Sequence, residues 1–536
     1  MRSDCSTEAL ALLSVLVCLA YAEHATAHGS NGKSPFKIIL DGGSTGSRLH
    51  VFEFVEDDAE NDVECVRRGS SRANIPLSAF GRLESEIREQ RPLNSTYVAE
   101  HMLPLFEYAA SVIPSEYYPY TSVKYQATAG MRLLPESEQE AVYDALFQGL
   151  MESESFVFRG MERGDIATLS GELEGFYGAV AANYLQGIVD AQLRFVSGDS
   201  YQQEPHTGPV GALDMGGSST QIVFLPDTQR KEERHEKQHT CDNEDMSKEG
   251  CAGPSSIPSQ LNGDHFFSTS YLSYGVDQFR ERLWTTLVEE KLRKDQEDPE
   301  SCGSKIVENP CANKGYEVNW MDFLLYGTGD TDECIRQTQR LIPHPEVPHD
   351  NHENVNNQVG GVQHPPIKGK FLAMSLYFFS LDSLRVFSEP HEEAHSALNL
   401  SWPNPSIQEL HDALYGLCSR DWKDDMELLH DAHSFTRQEV LPHRCIETVY
   451  MVTLLKDGFG FHPSSRDITF TFLVDGSEVE WTLGMALSMY AEETAVDNRA
   501  DQKVEKINIT FETESGENET LRFQRRAHPL FVAESL

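Results

Sequence analysis

Residues 36–54 read FKIILDGGSTGSRLHVFEF, and the rest of the chain falls into place around them. The apolar run Phe36 to Leu40 ends on Asp41. A small-residue turn follows, Gly42-Gly43-Ser44-Thr45-Gly46-Ser47, and apolar residues return at Leu49, Val51, Phe52 and Phe54. The pattern predicts strand, glycine turn, strand: a β-hairpin. Its tip offers backbone N–H groups, hydroxyls and one carboxylate. That set suits phosphate oxygens, because glycine lets the backbone come close and successive amides point at the anion. Residues 210–225, VGALDMGGSSTQIVFL, repeat the design with Asp214 in the place of Asp41. One glycine-rich hairpin is ordinarily only a tight turn. Two, each with Asp at the strand end and Ser/Thr in the turn, point to duplicated lobes facing one polyphosphate. Neither is a P-loop, since no Gly-Lys-Ser/Thr follows.

The chain has 536 residues and a formal net charge of −41. The length allows about two to four domains and a sizeable core. Nucleic acid is not an expected partner, because binding it needs a basic surface that displaces counterions. Such acidity also opposes a polyphosphate ligand. The conflict is removed if a divalent cation accompanies the ligand and a few basic side chains, such as Arg48 and Arg132, stand at the site. The charge otherwise reads as solubility in an extracellular or lumenal medium.

The N-terminus agrees with that compartment. Ala9 to Ala22 is uncharged and mostly apolar, and Ala25-Thr26-Ala27 is a cleavage signal, so residues 1–27 read as a signal peptide despite Asp4 and Glu8. The apolar stretch is shorter than the roughly 20 residues needed to span a bilayer. No later segment spans either, so no stable transmembrane anchor is expected. Cys5 and Cys18 leave with the signal. Cys65, Cys241, Cys251, Cys302, Cys311, Cys334, Cys418 and Cys445 remain, which in a secreted chain points to disulfides. Their spacing has no C-x₂-C pairs, so zinc is not expected. Glycosylation triplets stand at Asn94, Asn399, Asn508 and Asn518.

Along the chain, residues 56–75 read as a charged loop. Helices are expected over 97–113, 138–151, 274–295, 371–387, 406–418 and 437–455, the last two tied by Cys418 and Cys445. Residues 121–135 form a strand, a turn and a short helix start. The stretch 165–187 begins as a loop and becomes a helix, and strands at 467–474 precede a helix from Trp481. Residues 226–264 and 343–369 lack apolar periodicity and read as insertions. The histidines of the second, His344, His349, His352 and His364, read as solvated rather than metal-binding. Residues 188–209 are a connector, and the tail after 500 carries one alternating run, KINITFET.

Four further features carry chemistry. Glu172 and Glu174 open the 165–187 helix. Two positions apart on a helix is about 200° of rotation, so only one can face a site. Glu174 precedes Gly175, whose missing side chain would leave room for substrate or water, and a carboxylate there can hold a water in line with a phosphorus. A solvated Glu at a helix start is the alternative. ATAGMR, residues 127–132, supplies Thr128 and Arg132, and arginine can fork onto phosphate. The aromatic stripe Tyr377, Phe378, Phe379 reads as core, as do Phe459 and Phe461, although a Gly-Phe-Gly-Phe loop can also stack a base. His430, His433 and His443 form no convincing ligand set.

With these residues assembled, the chain resembles the apyrase family, the nucleoside triphosphate diphosphohydrolases, and looks closest to soluble plant-type and lumenal members. Five blocks occur in order: DGGSTGSRLHVF, ATAGMRLLP, SGELEGFYGAVAANYL, ALDMGGSSTQIVF and EVEWTLGMAL. The likeness covers about residues 36–490. It implies an α/β fold of two actin-like (ribonuclease H-like) lobes with the active site in the cleft between them. The first lobe would span 28–187 and the second 188–475, with 476–500 returning to the first lobe and 501–536 appended. The resemblance implies that Glu174 is the general base. It implies that Ser44, Thr45, Gly46, Ser47 and Arg48 grip phosphate from one lobe, and Gly216, Gly217, Ser218, Ser219 and Thr220 from the other. Asp41 and Asp214 would hold Ca²⁺ or Mg²⁺, mostly through water. Thr128 and Arg132 would line the phosphate path, Gln221 would orient water, and Trp481 would sit near the metal. Base stacking would use one of Tyr377, Phe378 and Phe379 with one of Phe459 and Phe461. One departure is Ala179, where the family has Trp, a change expected to reshape the cleft floor. With seven cysteines in the second lobe, one is unpaired or reaches Cys65.

The expected activity is therefore cation-dependent hydrolysis of nucleoside 5′-tri- and/or diphosphates by direct attack of water, in the secretory pathway, the lumen or outside the cell. Two other readings stay open: an exopolyphosphatase-like hydrolase, which the acidity opposes, and a non-catalytic nucleotide- or glycan-binding protein of the same fold. Oligomeric state is not legible.

Overall fold

A computed structural model describes residues 33–57, 62–89, 91–196, 208–226, 260–297, 304–343, 358–388, 400–502, 505–512 and 518–525. The signal peptide, Cys241, Cys251, Cys302, Asn399, His344, His349, His352 and most of the 226–264 insertion lie outside them.

Two five-stranded sheets repeat one topology. The first contains β1 (Phe36–Gly43), β2 (Gly46–Asp57), β3 (Asp62–Ala73), β4 (Ser122–Ala127) and β5 (Ile166–Thr168), in the order β3-β2-β1-β4-β5. The second contains β6 (Gly211–Met215), β7 (Ser219–Phe224), β8 (Phe267–Leu272), β9 (Phe371–Ala373) and β10 (Ile468–Phe470), in the order β10-β9-β6-β7-β8. In each, three consecutive antiparallel strands are followed by two that join parallel to the first. The repeated glycine hairpins are the corresponding first turns of the two lobes. β1 and β6 are central strands covered on both faces, which is why they read as unbroken apolar runs.

Two expected elements differ. Residues 56–75 are not a loop: β3 occupies Asp62–Ala73 at a sheet edge, and its charged side chains belong to an exposed edge strand. Residues 371–387 are not one helix. Phe371–Ala373 is β9, and two short helices follow, Leu376–Leu381 and Leu384–Phe387. A continuous apolar run fits a buried strand as well as a buried helix, and here the neighbouring strands decide. The chain turns between them at Ser375, whose φ is +55°.

The lobes share a core. Helix α1 (Ser95–Val112) and helix α2 (Glu136–Glu152) cover sheet one. Between the sheets run α3 (Gly171–Leu185) and α5 (Trp481–Gln502), while α4 (Val276–Glu297) covers the second sheet. Ile39 and Phe52 of sheet one, Ala179 to Ala182 of α3, Trp481 and Leu483 of α5, and Ala212 and Val223 of sheet two form one buried cluster. The two helices touch backbone to backbone: a Cβ on Gly484 would lie 1.8 Å from the Tyr177 carbonyl oxygen. Ala179 is thus part of a helix–helix core and not of a cleft floor. Disulfides join Cys311 to Cys334 and Cys418 to Cys445, the second as expected, and Cys65 is buried and free among the described residues. Among the same residues no helix is long and apolar enough to cross a membrane.

Candidate active site

Helix α3 places Glu174 between the lobes. Ser170 caps the helix by accepting from the Leu173 amide, so Glu174 falls in the first turn facing inward, 8 % exposed, while Glu172 faces solvent. Lobe one supplies Arg132, at the end of a short helix after β4, whose Nη2 donates to Glu174 Oε2 at 2.7 Å and to Ser219 Oγ at 3.1 Å. Lobe two supplies Gln221 on β7. Its Nε2 lies 3.1 Å from Glu174 Oε2, 2.8 Å from Ser219 Oγ and 3.0 Å from Ser270 Oγ. With two hydrogens it serves two of these at a time. The helix comes this close because its first turn lacks side-chain bulk. A Cβ on Gly171 would sit 2.1 Å from the Ser270 Cβ. Gly175 has the same use: a Cβ there would lie 2.7 Å from Val223 Cγ2, so its missing side chain admits β7 and does not leave room for substrate.

Four carboxylates share this region. Burial pushes Glu174 up to about 8; Arg132 opposes the rise, and Asp214 and Asp41 add to it. Burial takes Asp41 to about 7, with Arg48 opposing and Glu480 and Asp214 reinforcing. Asp214 is also raised by burial, against hydrogen bonds from the Ser375 hydroxyl and the Met215 amide. Glu480 rises to about 7 by burial, opposed by Arg67. The groups repel one another, and Asp41 Oδ1 is enclosed without a hydrogen-bond partner. A divalent cation relieves both conditions. Among the described residues no three His, Cys, Asp or Glu side chains stand close enough to chelate an ion directly. The carboxylate oxygens of Asp41 and Asp214 are donors that fit a divalent cation.

The hairpin tips meet. Asp41 pairs with Arg48, and Gly43 with Gly46, which leaves only Ser44 and Thr45 in the first turn. In the second, Asp214 pairs with Gln221, Met215 pairs with Thr220, and the Gly216 amide closes the turn onto the Ser219 carbonyl. A Cβ on Gly217 would lie 2.9 Å from Ser44 Oγ and 2.5 Å from Asp277 Oδ2, so bare backbone faces the opposite tip. Ser218 and Ser219 are buried beneath it. Other predicted residues face elsewhere. Ser47 hydrogen-bonds Tyr125 in the core at 2.6 Å, and Thr220 donates to the Asp214 carbonyl at 2.7 Å with Tyr377 behind it at 3.2 Å. Gly46 packs on the Ala73 carbonyl. Thr128 is buried and ties its amide to the Gly42 carbonyl, joining β4 to the hairpin. Arg48 is exposed beside its register partner Arg72.

The aromatic candidates separate in the same way. Tyr377, Phe378, Phe459 and Phe461 are buried core residues, Phe459 against Tyr271 and Phe461 against Phe371. Phe379 is only half-buried, beside Phe435 and Phe472. Trp481 is buried at the start of α5 in the shared core. His433 sits 3.0 Å from Asp382 and 2.7 Å from Thr436 Oγ1, an order of groups like that of a hydrolase triad. All three are buried, and Thr436 also accepts from Arg444 Nε, so the set is a satisfied packing network.

Sequence reading missed Ser375 and Glu480. Ser375 is held in a rare backbone conformation where its hydroxyl reaches Asp214, the kind of strain that collects at functional sites. Its only sequence signal is a hydroxyl inside an apolar run. Glu480 had a better one, a carboxylate directly before Trp481 and two residues after Glu478, at the head of a mostly apolar block.

The arrangement can hold an anion between two amide-rich turns and present a carboxylate to it. The sequence profile of the GDA1/CD39 (nucleoside phosphatase) family matches residues 28–507. The chain is 28 % identical over 489 residues to ectonucleoside triphosphate diphosphohydrolase 1 of Mus musculus, covering 85 % of this chain and 80 % of that protein. It is 25 % identical over 496 residues to Golgi apyrase of Saccharomyces cerevisiae, covering 86 % and 71 %. It is 28 % identical over 497 residues to nucleoside-diphosphatase mig-23 of Caenorhabditis briggsae, covering 89 % and 81 %. The crystal structure of nucleoside triphosphate hydrolases from Neospora caninum superposes with a TM-score of 0.55 at 16 % identity, over 91 % of this chain and 98 % of that one, and so shares the fold. The duplicated hairpins, the two lobes and Glu174 on the helix between them are thus those of a chain that belongs to the GDA1/CD39 (nucleoside phosphatase) family.

Proposed function

We propose that the protein hydrolyses nucleoside 5′-tri- and/or diphosphates to lower phosphates and orthophosphate, by direct attack of a water whose proton passes to Glu174. The observation that carries this reading is the position of the Glu174 carboxylate, tied at once to Arg132 of one lobe and Gln221 of the other, between the two amide-lined turns. The backbone amides around Ser44–Thr45 and Gly217–Ser218 grip phosphate oxygens, with the hydroxyls of Ser44 and Ser219; the Gly216 amide instead closes its own turn. Ser47 and Thr220 contribute only main chain, since their hydroxyls are committed to the core. Arg132 serves twice, orienting Glu174 and facing the transferred phosphoryl group. Gln221 fixes the carboxylate and the water it receives. Asp41 and Asp214 hold Ca²⁺ or Mg²⁺ through water; when bound, that ion offsets charge on the phosphate oxygens. Phe379, with Phe435, is the aromatic pair left with an open edge for a base. The site is in the secretory pathway, in the lumen or outside the cell, as the signal-like N-terminus and the ecto- and Golgi relatives support.

Phosphate release measured across ATP, ADP, GDP, UDP and inorganic polyphosphate, with Ca²⁺, with Mg²⁺ and in chelator, tests the proposal. Release from nucleotides that needs a cation is expected. Release from polyphosphate alone, or undiminished release in chelator, refutes it.

A further inference from the structure

The segment that returns to lobe one lays carboxylates on sheet one from the side of α5. A short hairpin, Leu473–Val474 with Ser477–Glu478, turns through Asp475 and Gly476 at positive φ and delivers Glu478 and Glu480 just before Trp481. Arg67 of β3 donates from Nη1 to both, to Glu478 Oε2 at 2.7 Å and to Glu480 Oε1 at 2.9 Å. The same Glu480 Oε1 lies 3.0 Å from His50 Nδ1 on β2. Both contacts fall on Oε1, and Oε2 takes no hydrogen bond among the described residues.

The register shows where this carboxylate lies. Asp41 is opposite Arg48, and Ile39 opposite His50, and directly opposed residues share a face of the sheet. Asp41, Arg48 and His50 therefore line one face, with His50 one pleat along from Arg48. Glu480, seated on His50, stands on the face that carries Asp41. Its side chain is only 17 % exposed. A clamp for Arg67 is already present in Glu478, which is more exposed and has the shorter contact. A second acid at this depth adds repulsion toward Asp41 and Asp214, whose field it shares. A neutral side chain would accept from Arg67 without that cost, so the charge at this position suits a cation beside Asp41.

We propose that Glu480 is a third carboxylate of the cation's outer sphere, oriented through Oε1 by Arg67 and seated against His50, with Oε2 accepting from a metal-bound water beside Asp41. Its charge then raises the affinity of the site for a divalent ion. The proposal rests on the reading that Asp41 and Asp214 hold that ion. Outer-sphere acceptors orient metal-bound groups and matter to affinity almost as much as ligands do.

The test is calorimetric binding of Ca²⁺ and Mn²⁺ alone, without nucleotide, to the full-length protein and to Glu480→Gln, Glu478→Gln and Asp41→Asn. Glutamine keeps the shape and one acceptor, and melting in chelator checks the fold of each variant. Glu480→Gln is expected to weaken both ions about ten-fold, with its melting temperature in chelator equal to wild type or higher. Glu478→Gln is expected to bind as wild type does. Equal affinity in Glu480→Gln and wild type, with Asp41→Asn weakened, overturns the assignment and leaves Glu480 a structural clamp. Unchanged affinity in Asp41→Asn overturns the underlying cation site and the proposal with it. Should Glu480→Gln melt lower in chelator, Glu480→Asp, which restores the charge, must recover ion affinity; failure to do so also overturns it.

Discussion

Glu174 Oε2 accepts from Arg132 and Gln221, one donor from each lobe, so its charge and its aim are set by different parts of the chain. Replacing it with Gln preserves the shape and removes the base. Turnover is expected to fall by about 10² to 10⁴, with nucleotide affinity within a few-fold of wild type by calorimetry. Near-wild-type turnover would remove Glu174 from the chemistry. Arg132→Ala has a different signature, because it leaves a buried carboxylate without its cation. Stability is expected to drop by about 3 kcal/mol above the raised Glu174 value of about 8, and by less below it, where the carboxyl takes up a proton instead. Denaturant melts at two pH values would show that difference, and equal losses at both would contradict it.

The elements meet where glycine allows it. Helix α3 reaches β8 because Gly171 has no side chain, and reaches α5 because Gly484 has none. Gly171→Ala drives a methyl into Ser270 and toward Arg132 Nη1, which a Cβ would meet at 2.9 Å. It is expected to cost about 1–3 kcal/mol and to lower turnover by shifting Glu174. Adding Ser270→Gly should recover most of the stability, since it empties the space that the methyl enters. A double mutant no more stable than the single would show that the strain lies elsewhere. The aromatic run at 371–387 makes a related point. It becomes a strand at Phe371–Ala373 because β6 and β10 flank it, and it breaks at Ser375, where the chain bends to bring a hydroxyl to Asp214.

At the scale of the whole molecule the buried acids between the lobes are raised, whereas ion-paired ones such as Glu138, Asp382 and Glu409 are lowered, so the site inverts the usual carboxylate contribution to stability. Asp41, Glu174 and Glu480 have folded values of about 7, 8 and 7, against ordinary values near 3.8 to 4.5. Between those limits these three groups bind more protons folded than unfolded, while His50 and His443, held low by burial at about 3 and about 4, act in the opposite sense up to their ordinary value of 6.5, so stability falls as pH rises above that point. In chelator the melting temperature is expected to decrease from about pH 6.5 to about pH 8. Ca²⁺ or Mg²⁺ should restore more at the upper end, because it binds the ionised folded state. A melting temperature that rises across this window in chelator, or a cation effect independent of pH, would contradict the shared carboxylate site.

Legible in the residues alone were the two hairpins, their Asp positions, the order of the family blocks, the Cys418–Cys445 bridge and the fact that only one of Glu172 and Glu174 can face inward; the family likeness picked Glu174. These are readable because they rest on short-range regularities: a strand's period of two, a helix's 3.6, a glycine turn, and spacing within one block. The tertiary structure alone decided which hydroxyls of those hairpins face phosphate. Ser47 and Thr220 turn into the core because Tyr125 and Tyr377, far along the chain, wait for them there. It also assigned Gly175 to packing, made an edge strand of 62–73, and recruited Ser375 and Glu480 from distant segments. The direction of a side chain and the company of a buried charge depend on which segments pack together, and no local pattern encodes that.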